Sequence, residues 1–122
     1  MRLKNIEILV MNDKQYSKHL KDIVKSGKKS TNKIVLSRYE DLTKILTKER
    51  IRMLRIIHSE KPKSISELAK LLNRDRRNVL ADLNYLEGFG LVEIEETEKE
   101  KIYTKIPIVN FDELLVRLDM GS

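Results

Sequence analysis

SISELAKLLNRDRRNVLADLNYLEGFGLVEI, residues 64–94, is the stretch that decides the fold. Ser64 and Glu67 stand at capping-box spacing. The serine oxygen can accept from the Glu67 amide, and the Glu67 carboxylate can accept in return from the amide of Ser64. Ile65, Leu68, Ala69 and Leu72 follow at i, i+3, i+4 and i+7, one apolar stripe of a helix. The small Ala69 suits a close helix crossing, and Asn73 can end the helix because asparagine tolerates the left-handed conformation. Asp75 then suits the N-cap of a second helix, whose positive end its charge complements. Val79, Leu83 and Leu86 form the inner face of that helix, while Gly88 and Gly90 supply the stop before Leu91. The order is helix, tight turn, helix, stop and strand: a helix-turn-helix running into a wing.

In such a motif the second helix enters a DNA major groove, and its first-turn residues reach base edges. Here those residues are Arg76, Arg77 and Asn78, on the side away from Val79 and Leu83. Arginine suits guanine and phosphate, and asparagine suits adenine. Lys63, Ser64 and Arg74 are placed to hold phosphates. A solvated charged face is the bland alternative for any one of these arginines; the cluster of Arg74, Arg76 and Arg77 at this place in this motif favours DNA. Asp82, near the inner face, is expected to pair with an arginine of the preceding helix rather than to serve acid–base chemistry.

Residues 34–105 resemble a winged-helix transcriptional regulator of the MarR-like type. They are most similar to a prokaryotic, largely archaeal group described only as DNA-binding proteins. The resemblance rests on Tyr39, Leu46 and Thr47, on Glu67, Leu68 and Ala69, on Arg74, Asp75, Asn78 and Val79, and on Leu86, Glu87, Gly90, Leu91 and Val92. It implies an α+β, mainly helical fold: a winged helix-turn-helix with an N-terminal strand-helix extension and a C-terminal strand. The function it implies is less specific, because winged helices also serve in protein contacts alone. Two positions depart from the pattern. Asn73 stands where glycine is frequent in the turn. The wing LVEIEETEKEKIYTKI, residues 91–106, sets Glu93, Glu95, Glu96, Glu98 and Glu100 against Lys99, Lys101 and Lys105. A wing that hugs phosphates should be basic. Either Lys99 and Lys101 at the tip alone approach DNA, or the wing stays off the duplex, and the charge balance favours the second.

The flanks read as oligomerisation structure. NIEILV (5–10) is expected as a strand. DKQYSKHLKDIVKSG (13–27) is expected as a helix with Tyr16, Leu20, Ile23 and Val24 on one face and Gly27 as its stop. KKSTNK is a polar linker, IVLS a strand, and RYEDLTKIL a short helix with Tyr39, Leu42, Ile45 and Leu46 inward. Thr47 caps a helix reaching His58. Its apolar residues Ile51, Met53, Leu54, Ile56 and Ile57 exceed one face, so it is packed on two sides. Pro62 marks the loop after it. At the C-terminus, Phe111, Leu114, Leu115 and Leu118 have helical spacing with Asn110 and Glu113 as caps, whereas Leu114, Val116, Leu118 and Met120 alternate as in a strand. The resemblance favours the strand, which could pair with NIEILV within one chain or across a dimer. The expected organisation is therefore 1–33 as a basic dimerisation extension, 34–109 as the winged helix-turn-helix and 110–122 as a sheet-completing or dimerising segment.

Charge agrees with a polyanionic partner. The 122-residue chain carries a net +6, with nine Lys/Arg against three Asp/Glu in residues 1–33 and four against eight in residues 91–122. With no cysteine, disulfides and thiolate metal sites are excluded. His19 and His58 each lack a second ligand at metal spacing and read as surface residues. Tyr39, Tyr85 and Phe89 read as packing residues rather than base-stacking platforms. There is no phosphate loop and no nucleophile elbow. No enzyme, metal or cofactor is expected, and neither a membrane span nor a signal peptide, so a cytoplasmic site. The readings left are three. The first is a homodimeric, sequence-specific regulator of double-stranded DNA, acting as a repressor. The second is an antitoxin-like protein that binds its operator and a toxin partner. The third is a winged helix used only for protein contacts.

Overall fold

A computed structural model describes residues 5–26 and 32–120. In chain order the elements are β1 (Asn5–Val10), α1 (Asp13–Ser26), β2 (Lys33–Leu36), α2 (Tyr39–Ile45), α3 (Lys48–Glu60), α4 (Ile65–Leu72), α5 (Arg76–Gly88), β3 (Glu93–Lys99), β4 (Ile102–Ile108) and β5 (Glu113–Leu118). The fold is α+β and mainly helical, with a winged helix-turn-helix topology. It forms two compact units, one of residues 45–110 and the other of the described residues before 45 and after 110.

In the first unit, local capping explains each helix boundary. Thr47 caps α3, its hydroxyl accepting from the Arg50 amide at 3.2 Å. Ser64 caps α4, accepting from the Glu67 amide at 3.0 Å. The Glu67 carboxylate does not return to Ser64 as the capping-box spacing suggests; it accepts from the amide of Lys63 at 3.1 Å. Ser64 is fully extended (φ −161°, ψ 164°), which leaves the preceding amide as the one the glutamate meets. Asn73 ends α4 in the left-handed region (φ 53°), with the Arg74 amide donating to the Ala69 carbonyl at 3.0 Å. Asp75 caps α5 through the Arg77 amide at 3.0 Å. The stop of α5 falls on Gly90 (φ 82°), with Gly88 still helical. Leu91 donates to Leu86 and Gly90 to Glu87, the paired bonds of a Schellman end.

Met53, Leu54 and Ile57 of α3, Ile65, Leu68, Ala69 and Leu72 of α4, and Val79, Leu83 and Leu86 of α5 are all buried, with Leu91 and Val92 after them. On α4 and α5 these are the apolar stripes read from the sequence; on α3, Ile51 and Ile56, read as part of a second packed side, are only half-buried. The wing is an antiparallel β3–β4 hairpin closed by Glu100 and Lys101, both left-handed (φ 53° and 66°). Two consecutive positive-φ residues make a type I′ turn, whose twist matches the flanking strands. β4 lies against α3 and α4.

The second unit is a parallel sheet in the order β2-β1-β5. Ile6, Ile8 and Val10 are buried along β1, as is Leu36 of β2. The C-terminal segment is a strand, and it pairs with NIEILV within the chain, Asn5 opposite Glu113 through Val10 opposite Leu118. Arg117 reaches Glu7 at 3.0 Å across that pair. β2 pairs with β1 from Glu7–Lys33 to Val10–Leu36, and this hydrogen bonding groups residues 33–36 with the N-terminal strand. Two expected inner residues face outward: Leu20 is exposed, and Tyr39 is 56% exposed. Tyr39 opens a seven-residue helix whose inner row is met by Leu42 and Ile45, both buried. The side chains of Ile23 and Val24, the Gly27 stop and most of the KKSTNK linker lie outside the described residues.

Candidate nucleic-acid interface

α5 presents its polar side opposite its core stripe. Arg77, Ala81 and Asn84 recur at i, i+4 and i+7 and are all exposed, while Val79, Leu83 and Leu86 are buried behind them. Arg76 and Asn78 flank this outer row on either side, also exposed. Arg77 and Asn78 have no side-chain partner among the described residues. Arg76 is steadied by α4, its Nε donating to the Ser66 hydroxyl at 3.1 Å. On α5, the residues expected at the interface from the sequence lie in the first turn alone. Ala81 and Asn84 were missed, although the i, i+4, i+7 spacing that marks the core stripe also marks this row.

Arg76 lines one side of a cleft of about 420 Å³ with Ser64 and Ser66. Tyr103, Lys105 and Glu96 of the wing line the other side. Strand parity explains the grouping. Glu96 pairs with Lys105 and Glu98 with Tyr103, so these four share one face of the hairpin. Lys99 lies opposite Ile102 on the other face, and Lys101 sits in the turn. The structure thus brings Lys105 and the 76% exposed Tyr103 beside Arg76, and does not bring Lys99 or Lys101 there. Lys63 is exposed just ahead of α4. The Ser64 oxygen is occupied as a cap acceptor, which leaves its O–H free to donate.

Arg74 is engaged within the protein. Its guanidinium meets Asp82 at 2.8 Å and Glu49 at 4.0 Å. Asp82 also takes Arg50 at 3.3 Å, and Arg50 stacks over the Tyr85 ring at 4.0 Å. Tyr85 in turn meets Phe89, ring centroids 5.3 Å apart. Asp82 is paired with arginine twice, but not from the preceding helix as expected: α4 carries no arginine, and the partners come from α3 and from the turn. Arg52 of α3 donates to the Leu72 carbonyl at 3.1 Å, a cation at the negative end of α4. Together these bonds fix α5 against α3 and α4, and the direction in which its outer row points follows from them.

His19 and His58 are half-buried, each with part of its surface exposed. Among the described residues no group of three or more His, Cys, Asp or Glu is arranged to hold a metal, and no helix is long and apolar enough to cross a membrane.

This fold and this outward helix define a winged helix-turn-helix protein, a class compatible with nucleic-acid or protein interaction. The HVO_A0114 family model matches residues 45–116, more than half of the chain, and the chain belongs to that archaeal family. No curated protein matches it.

Proposed function

We propose that the protein is a sequence-specific regulator of double-stranded DNA that binds as a homodimer, in keeping with the MarR-like resemblance of its sequence, and acts by binding rather than by catalysis. The observation that carries this reading is the exposed row on α5. Arg77, Ala81 and Asn84, flanked by Arg76 and Asn78, combine a guanine reader, adenine readers and a small apolar residue suited to a thymine methyl. Asn84 and Ala81 extend the reading surface to two turns of the helix. Lys63, the Ser64 hydroxyl and Lys105 hold phosphates on either side. Arg74 acts as a positioning residue through Asp82. Lys99 and Lys101 contribute less than Lys105, since they stand away from the cleft. Two such helices on a dimer address half-sites about one DNA turn apart. A dimer of this kind at a promoter is a repressor by occlusion.

The acidic wing, with Glu93, Glu95, Glu96, Glu98 and Glu100 all exposed, favours a second reading, in which the winged helix, alone or as an operator-bound antitoxin, contacts a basic protein such as a toxin partner. The test is fluorescence anisotropy on duplex DNA from upstream of the protein's own gene against scrambled duplex, over a salt series. An Arg76→Ala/Arg77→Ala variant is measured alongside. Preference for the upstream duplex, lost in the variant, is expected. Each phosphate neutralised should add about −0.9 to the slope of log K against log salt. No binding to either duplex at low salt would remove this reading and leave the protein-contact one.

A further inference from the structure

We infer that β5 is a self-pairing edge: two copies of the chain join β5 to β5 in antiparallel fashion, making one continuous six-stranded sheet centred on Leu115. The inference deepens the homodimer reading above, but its test uses no DNA, so either can fail alone.

β5 is the last strand of the order β2-β1-β5, with no neighbour on its outer side among the described residues. It is nevertheless apolar and uncovered, with Leu115 at 40%, Val116 at 44% and Leu118 at 52% exposed. An open apolar edge invites another strand. Neither Pro nor Lys guards this one.

The backbone limits which pairings are allowed. The Asp119 amide donates inward to the Val10 carbonyl at 2.9 Å. In a parallel ladder, alternate residues direct both N–H and C=O to the same side, so Glu113, Leu115 and Arg117 also face β1. Leu114, Val116 and Leu118 then direct theirs outward. An antiparallel partner must meet outward groups with outward groups. A two-fold axis between two residues would oppose outward to inward positions, so the axis must fall on a residue.

Charge then selects the register. An axis at Leu115 sets Glu113 opposite Arg117 of the second copy, and Arg117 opposite its Glu113, giving two cross-strand ion pairs. Leu114 meets Val116 and Leu115 meets Leu115. An axis at Val116 would oppose Glu113 to Asp119, a like-charge pair. An axis at Arg117 would oppose two arginines. An axis at Leu118 would set Arg117 opposite Asp119, but it falls on the last residue of β5 and leaves most of the strand unpaired. At the Leu115 axis the charged pairs fall at non-hydrogen-bonded positions, where facing side chains are closest. Arg117, 66% exposed in its pair with Glu7, is free on its outer side to take a second carboxylate.

Because the chain has no cysteine, introduced thiols report the register cleanly. Leu115→Cys faces its own symmetry mate at about 4.5 Å between Cα atoms, within disulfide reach. It should form a covalent dimer under mild oxidation, while Val116→Cys should not. In sedimentation equilibrium the full chain should have twice the chain mass at micromolar concentration. Glu113→Arg alone and Arg117→Glu alone each create like-charge pairs and should sediment as monomers. An equimolar mixture of the two restores complementary pairs and should dimerise, which a misfolded variant could not do. A monomeric parent chain, cross-linking through Val116→Cys in place of Leu115→Cys, or a mixture that stays monomeric would overturn the inference.

Discussion

Replacing Asp82 with alanine removes the carboxylate that two arginines share, and the structure sets the size of the loss. The Arg74 bond is 2.8 Å and the Arg50 bond 3.3 Å, and the Asp82 side chain is 17% exposed. Hydrogen bonds to charged groups contribute about 1.5–3 kcal/mol each when buried. Both guanidiniums keep some access to water, 19% exposed for Arg50 and 24% for Arg74, so they are partly resolvated once the carboxylate is gone. The sum is therefore discounted to about 2–4 kcal/mol, between exposed and fully buried pairs. With a urea dependence of about 2 kcal/mol per molar, the unfolding midpoint should fall by roughly 1–2 M. The assay is urea unfolding followed by helical circular dichroism, with double-mutant cycles to Arg74→Ala and Arg50→Ala. Coupling of Asp82 to Arg74 should exceed its coupling to Arg50, because Arg50 keeps its stack on Tyr85. An unchanged midpoint, or coupling to Arg74 below about 0.3 kcal/mol, would refute the view that this carboxylate braces the outward helix.

Other substitutions separate architecture from recognition. Gly90→Ala meets no atom within 4 Å of its new Cβ, so its cost is the positive φ alone. About 1–2 kcal/mol of lost stability is expected in urea unfolding, with Gly90→Asn costing less. Ser64→Ala removes the cap of α4 and should cost about 1 kcal/mol in the same assay. Ala81→Glu lies on the exposed row, so stability should change by less than about 0.5 kcal/mol. Its anisotropy on upstream duplex should nonetheless show affinity reduced more than tenfold, since a carboxylate is brought to the groove floor and the phosphates.

How much of this was legible depended on the range of the interaction. The helix-turn-helix is written in local signals: Ser64, Asn73 and Asp75 cap within three residues of themselves, and the stripes of α4 and α5 need only helical spacing. Phe111–Leu118 fits both a helix and a strand, and the choice is made by pairing with β1. That contact, seen in Arg117 to Glu7, spans 110 positions of sequence, beyond any local pattern. The same range limit applies to the basic cluster. Arg74, Arg76 and Arg77 look alike in sequence, yet Asp82 engages the first, Ser66 steadies the second, and the third stands outward. Lys105 entered the site through strand parity, which requires the hairpin register set by the Glu100–Lys101 turn. Tyr39 turned outward because a seven-residue helix has room for one short inner row, filled from Leu42 onward.

The most direct test of the central claim is selection from a random duplex library by the purified full chain at physiological salt. The account predicts enrichment of an inverted repeat with half-sites centred about 10–10.5 base pairs apart, or a multiple of that. Information at one half-site position should collapse in Asn84→Ala. A library that emerges without any enriched motif, or a motif unchanged by substitution along the row of Arg77, Ala81 and Asn84, would contradict it.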